Sequence, residues 1–254
     1  MKNITCYKQF YDDVIDTCTK GVVYKYTGLR PAHMMVNCEN EYVQKALLNF
    51  MAEEFANKGV LDFSLAADRY LYYKFDGTMQ NLKNTFSNIQ SCAIGDNHYR
   101  FITGLDITRL LIHYGDEVSK EFFKKISDVA KYCTCVFYIS SYQALNAERF
   151  IKKLSENVMN IKRITVPELT PSEVASIAIE RMRTEFSINC TPAFEQAFSF
   201  HLEDGHTTNI NDVFMISEKL LQMADFSTVP PILDSIVFEK FDPENRKEKI
   251  NNEI

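Results

Sequence analysis

Hydrophobic positions along this chain follow two alternating patterns. Short apolar or aromatic runs cover residues 33–37, 69–75, 99–103, 133–140 and 162–166, and several are apolar on both faces, as buried parallel strands are. Between them apolar residues recur at helical spacing. Val43, Ala46, Leu47, Phe50, Met51 and Phe55 form one stripe, stopped by Gly59. Met79, Leu82, Phe86 and Ile89 form a second, opened by Asp76-Gly77-Thr78, and Val118, Phe122, Ile126 and Val129 form a third. Strand–helix alternation predicts a parallel sheet with right-handed crossovers, here an α/β three-layer domain on a five-stranded sheet.

Beyond residue 166 the strand pattern stops. Thr170-Pro171-Ser172-Glu173 reads as a capping box with proline at the first helical position, followed by Val174, Ala178, Met182 and Phe186 on one face. Thr191-Pro192 opens a second helix through Phe194, Ala197, Phe198 and Leu202, closed near Gly205, and a third starts near Asn211. The division expected is an α/β domain over 1–167 with a helical segment at 1–27, a small all-helical lid over 168–225, and an extension over 226–254. Within that extension 232–238 is apolar, and from 242 the chain reads as a polar, disordered tail.

Composition narrows the partners. With 28 Lys and Arg against 34 Asp and Glu, the net charge of −6 gives no electrostatic case for nucleic acid or an anionic membrane. Lys120, Lys124, Lys125, Lys131, Arg149, Lys152 and Lys153 enrich one region in positive charge, but Glu117, Glu121, Asp128 and Glu148 are interspersed, as on a solvated helical face. No signal peptide or membrane span is expected, and seven scattered cysteines fit a reduced, cytoplasmic protein. Cys133 and Cys135 form C-x-C on a strand with no second pair nearby, which reads as core rather than metal. His33, His98, His113, His201 and His206 lack H-E-x-x-H spacing, and His33 reads as packing.

The turn after the first strand sits where a phosphate-binding loop belongs. A working G-x-x-x-x-G-K-[ST] loop needs glycines for its dihedrals and lysine for charge. Residues 37–44 read Asn-Cys-Glu-Asn-Glu-Tyr-Val-Gln, with no glycine and with carboxylates at Glu39 and Glu41. Gln44 is expected to be replaceable at little cost, since no ligand depends on it.

Several segments of the chain resemble one family. Ala32-His33-Met34-Met35-Val36, Gly59-Val60-Leu61, Val136-Phe137-Tyr138-Ile139-Ser140-Ser141-Tyr142, Glu148-Arg149-Phe150 and the run from Ile164 to Glu173 resemble AAA+ ATPases. Over residues 28–224 they resemble the CbxX/CfqX branch, which includes red-type Rubisco activase and SpoVK. The resemblance implies a P-loop NTPase fold with a helical lid, and in the family ATP and Mg²⁺.

The catalytic positions depart from that pattern. The loop positions fall on Cys38, Glu39, Asn40 and Glu41, the lysine on Gln44 and the Mg²⁺-binding hydroxyl on Lys45. The Asp-Glu end of the third strand falls on Thr103 and Gly104, with Asp106 late and expected to cap a helix over 107–114. The sensor at the fourth-strand tip survives as Ser140. The arginine finger falls near Met159-Asn160, with Arg163 either displaced or a plain strand-edge residue, and the lid's 205–211 has no arginine.

The expectation is a catalytically degenerate AAA+-like subunit with no cofactor, acting through other protein subunits, an intact AAA+ paralogue among them. Arg149, Lys152, Lys153 and Arg163 would then lie at the junction. The alternatives are an ATP-binding member of a mixed ring, taking ATP and Mg²⁺ weakly, and a clamp-loader-like subunit associated with nucleic acid.

Overall fold

The computed structural model describes residues 12, 16, 32–57, 70–92, 102–131, 133–140, 144–165 and 169–241. The segment expected at 1–27 apart from residues 12 and 16, the turn at 59–61, His98, the 99–101 strand start, Ser141-Tyr142 and the tail from 242 lie outside these. The chain forms two compact units, Met1–Pro167 and Glu168–Ile254.

The first unit is built on strands β1 (His33–Asn37), β2 (Tyr70–Lys74), β3 (Ile102–Asp106), β4 (Thr134–Ile139) and β5 (Ile161–Thr165). They pair in the order β2-β3-β4-β1-β5, and every pair is parallel. Helices α1 (Glu41–Asn57), α2 (Met79–Cys92), α3 (Glu117–Val129) and α4 (Ala144–Asn157) complete the crossovers.

Polar caps start the first three helices. Asn40 Oδ1 accepts from the Val43 N–H at 3.1 Å, and Thr78 Oγ1 accepts from the Asn81 N–H at 3.2 Å. The Asp116 carboxylate takes the N–H groups of Val118 and Ser119. Gly77 has a φ of +89°, which favours glycine, and a Cβ there would also have to displace the half-exposed His113 ring, whose Nε2 would lie 2.4 Å away.

The two sheet faces bury different partners. Met35, Leu105, Cys133, Cys135 and Phe137 pack under α2, α3 and α4, with Phe75, Phe86, Phe122, Phe123 and Phe150 in one aromatic cluster. On the opposite face α1 buries Leu47, Leu48 and Met51. A Cβ at Gly104 would lie 2.3 Å from Leu48 Cδ1, so glycine in mid-strand lets the helix approach the sheet.

This contact corrects one sequence expectation. Thr103-Gly104 reads as a strand end, yet β3 continues to Asp106. The glycine marks a helix seated above it, not a turn.

The second unit holds α5 (Pro171–Glu185), α6 (Pro192–Asp204), α7 (Ile210–Leu221) and α8 (Ile236–Phe241). The Thr170–Glu173 capping box is present with Pro171 in the first turn, and Thr191 caps α6 ahead of Pro192. This unit is not all-helical. β6 (Asn189–Cys190) and β7 (Ile232–Leu233) pair in parallel, and Phe238 stacks on Phe194 with ring centroids 5.4 Å apart. Residues 226–241 therefore belong to this unit, because their apolar stretch closes its core.

His33 is buried at the start of β1. Its Nδ1 accepts from the Cys135 N–H at 3.1 Å, and burial lowers its pKa from 6.5 to about 3 despite a hydrogen bond with the Ala130 backbone. Because the folded pKa lies below the unfolded one, its contribution to stability is full above pH 6.5 and declines as pH falls towards 3. One such group contributes a slope of about 1.4 kcal/mol per pH unit well below the unfolded value. Urea melts from pH 7 to 5 should therefore show a steeper loss for the native chain than for His33→Gln. Equal slopes would contradict the buried neutral imidazole.

Candidate functional site

The sheet order places one crevice. From β1 the chain crosses to the far edge at β2, returns through β3 to β4, then passes over β1 to β5. Strand order thus reverses around β1, and in open α/β sheets ligands bind at the carboxyl ends of strands at such a switch point. Asn37, at the end of β1, lies between Ile139 and Thr165.

The turn at this point is short. Its Cys38 N–H donates to the Ile139 carbonyl at 3.0 Å, and α1 begins at Glu41, leaving residues 38–40 as the whole connection. A phosphate loop framed on Gln44 as its lysine needs residues 38–43, and the latter half of that span is already helix. Asn40 satisfies one of the helix's free N–H groups itself.

Gln44 fills what remains. It is 1% exposed. Its Nε2 donates to the Cys38 carbonyl at 2.7 Å, and its Oε1 accepts from the Tyr72 hydroxyl at 2.6 Å. Its backbone carbonyl accepts from the Tyr138 hydroxyl at 2.8 Å. Burial raises both phenol pKa values, so both tyrosines stay protonated donors. The expectation that Gln44 is replaceable at little cost is therefore corrected: a buried carboxamide with both ends bonded holds the turn to β2.

The surrounding groups complete a closed arrangement. Burial pushes the Cys38 thiol up to about 12, and its Sγ contacts the Asn40 carbonyl at 3.7 Å. Asp106 is buried at the end of β3, in register with Lys74 and Tyr138, and its charge adds to the upward shifts of Cys38 and Tyr72. Its Oδ1 accepts from the Thr108 N–H at 3.0 Å, opening the short 3-10 turn Thr108–Leu111. Asp106 thus closes β3 as well as starting the next turn.

At the rim, Glu41 is paired with Lys45 at 2.8 Å and with Lys74 at 3.6 Å. The hydrogen bond from Lys45 is the main cause lowering its pKa. Lys45 also lies 5.2 Å from the centroid of the Tyr72 ring. Both lysines beside the turn are therefore engaged by this chain's own carboxylate. Glu39 is exposed.

The remaining sequence candidates are dispersed. Thr103 and Gly104 lie in mid-strand, buried under neighbouring helices and not at the crevice, since β3 runs two residues past Gly104. Among the described residues the buried Thr103 hydroxyl has no hydrogen-bond partner. The Ser140 N–H donates to Thr108 Oγ1 at 3.1 Å, tying the end of β4 to the 3-10 turn. Arg149, Lys152 and Lys153 are exposed on α4, with Lys153 paired to Glu156 at 3.0 Å, and Arg163 is exposed on β5.

In the second unit, Asn209 of the arginine-free segment caps α7. Arg181, absent from the sequence reading, packs over Phe214 at 4.4 Å and pairs with Glu185 and Glu218, a structural role. The sequence reading also misses Tyr72 and Tyr138. Their signal is alternation, since Tyr72 on β2 and Tyr138 on β4 stand on the same sheet face as Gly104 and Asp106 of β3 between them, the face that α1 covers.

These residues do not fit a nucleoside triphosphate with Mg²⁺. The cradle is occupied by Gln44, the lysines are neutralised, and the buried Asp106 has no hydroxyl beside it on α1, where Lys45 stands. Among the described residues no group of three or more His, Cys, Asp or Glu side chains is placed to hold a metal ion. Cys133 and Cys135 lie buried with their sulfurs 3.7 Å apart. No described helix is long and apolar enough to cross a membrane.

No protein-family profile and no curated protein sequence matches the chain. Solved structures with a similar fold are AAA+ ATPases. A mutant of RuvB from Thermotoga maritima superposes with a TM-score of 0.52 at 13% identity, covering 91% of this chain and 68% of that one. The Aeropyrum pernix ORC2 protein in its ADP form gives 0.51 at 11%, covering 83% and 62%. Hsp104 with ATPγS and FITC casein gives 0.52 at 9%, covering 88% of this chain but 39% of that one. The chain thus spans less than two thirds of the ORC2 protein's length. At these identities the likeness establishes the fold alone, the three-layer α/β architecture on a five-stranded parallel sheet that these ATPases have.

Gln44→Ala should lower stability by about 1–3 kcal/mol, since it leaves the half-buried Cys38 carbonyl and Tyr72 hydroxyl without this partner. Lys45→Ala, which removes an exposed ion pair, should stay within about 0.5 kcal/mol. Tyr72→Phe combined with Gln44→Ala should cost less than the sum of the two. Denaturant melts giving Gln44→Ala and Lys45→Ala the same small effect would refute the proposed bracing.

Proposed function

We propose that this chain is an AAA+-like protein that neither hydrolyses ATP nor depends on it, and that it works as a protein-interaction or regulatory subunit. The observation that carries this reading is the buried Gln44 carboxamide lying across the turn where a phosphate would sit. A side chain held by two hydrogen bonds at 2.6–2.7 Å inside a packed turn competes with any ligand for that space. Meanwhile the sheet, the aromatic core and the helix caps are all kept, which supports selection for a folded surface. Partners of the proposed kind are other protein subunits, an intact AAA+ paralogue among them, approached through Arg149, Lys152, Lys153 and Arg163. The branch assignment to CbxX/CfqX rests on the sequence resemblance.

One observation favours a second reading, an ATP-binding member of a mixed ring. Asp106 stands buried at the carboxyl end of β3, where the AAA+ family carries its Mg²⁺-binding aspartate. The clamp-loader-like reading has no support beyond the fold, and the net charge of −6 weighs against it.

Titration calorimetry with Mg·ATP separates the first two readings. The proposed function predicts no heat of binding at micromolar ATP and no thermal shift at millimolar ATP. A dissociation constant in the low micromolar range, with a stabilisation of about 2.7 kcal/mol at hundredfold excess over it, would establish the mixed-ring reading instead.

A further inference from the structure

Charge is divided unevenly between the two units. Residues 1–167 carry 21 Lys and Arg against 18 Asp and Glu, whereas residues 168–254 carry seven against 16. The first unit is therefore cationic, and the net charge of −6 resides in the second.

In the first unit the unbalanced cations gather on one helix pair. Phe123 and Phe150, with ring centroids 4.8 Å apart, seat α3 against α4. Lys120, Lys125, Lys131 and Lys153 are each paired with an acid three or four residues away. Lys124, Arg149 and Lys152 are exposed and, among the described residues, make no ion pair, against one exposed acid in the same state, Glu148.

The second unit shows the reverse. Residues 184–218 hold six acids and no lysine or arginine. Arg181 and Arg183 pair with three of these, Glu185, Glu195 and Glu218. The other three are Glu203 and Asp204 at the end of α6 and Asp212 in the first turn of α7, across the short connection 205–209. They are exposed and make no ion pair among the described residues. Three such carboxylates at one end of the second unit thus match three such cations on α3 and α4. A second copy of the chain brings the complementary charge, whereas a nucleic acid would meet a molecule of net charge −6.

We propose that the α3–α4 face of one copy docks the α6–α7 end of another, with Lys124, Arg149 and Lys152 facing Glu203, Asp204 and Asp212. The inference rests on the reading of this chain as an interaction subunit and names its partner. Complementary charge of this kind gives steering and register, and salt screens it.

Sedimentation velocity on the full chain tests the contact. At about 100 μM the native chain should sediment above monomer mass in about 50 mM salt and as monomer in about 500 mM. Lys124→Glu with Arg149→Glu, and separately Glu203→Lys with Asp204→Lys, should each weaken association about tenfold or more. Melting temperatures should stay unchanged, since neither pair removes an ion pair and lysines suit the carboxyl end of α6. The two variants mixed should associate again, because each keeps the surface that the other has lost. A native chain that is monomeric in low salt, association that ignores either reversal, or a mixture that stays monomeric would overturn the proposal. So would association that appears only when a duplex oligonucleotide is added. A chain that assembles in this way and also binds Mg·ATP would overturn only the nucleotide-independent part of the proposed function.

Discussion

The Gln44 carboxamide sets the shape of the region on which the functional account depends. Its donor end reaches the Cys38 carbonyl at the end of β1 and its acceptor end takes the Tyr72 hydroxyl from β2, while Tyr138 from β4 bonds the same residue's backbone. One residue thereby ties α1 to three strands at the point where the sheet reverses its order. Two of these bonds are half-buried and the third fully buried, and leaving a partner unpaired there is costly, so the network favours a single arrangement of the turn. In a working phosphate loop the bound anion and its lysine would organise the same turn. Here the protein's own amide does so.

The fold was largely legible in the sequence because it rests on periodicity and caps. Strand and helix alternation, the Thr170–Glu173 box and the Thr191-Pro192 start each depend on neighbours a few residues apart, and each is present. What was missed depends on contacts distant in sequence. Gly104 reads as a break until Leu48 is seen to occupy the space of its absent Cβ, and with it Asp106 moves from a late position to the strand end. Ile232–Leu233 reads as part of a trailing extension, yet it pairs with Asn189–Cys190 more than forty positions earlier in the chain.

The candidate site shows the same division. The loss of glycine and lysine at residues 38–44 is plain in the sequence, and it correctly directs attention to this turn. What replaces them is not plain, because Tyr72 and Tyr138 lie 28 and 94 positions from Gln44. Reading Gln44 as an idle remnant follows from asking what it fails to bind. Its actual partners are protein groups, and its 1% exposure is that of a core residue.

The central claim is that this side chain, and not a ligand, occupies the turn, and the Gln44 side-chain amide protons report on it directly. In an NMR exchange experiment on the full chain they should exchange slowly with solvent, because they are buried and bonded to the Cys38 carbonyl. Their resonances should also be unmoved by millimolar Mg·ATP. Fast exchange in the free protein, or shifts at Gln44 and Cys38 that saturate as Mg·ATP is added, would show that the turn opens for nucleotide and would contradict the account.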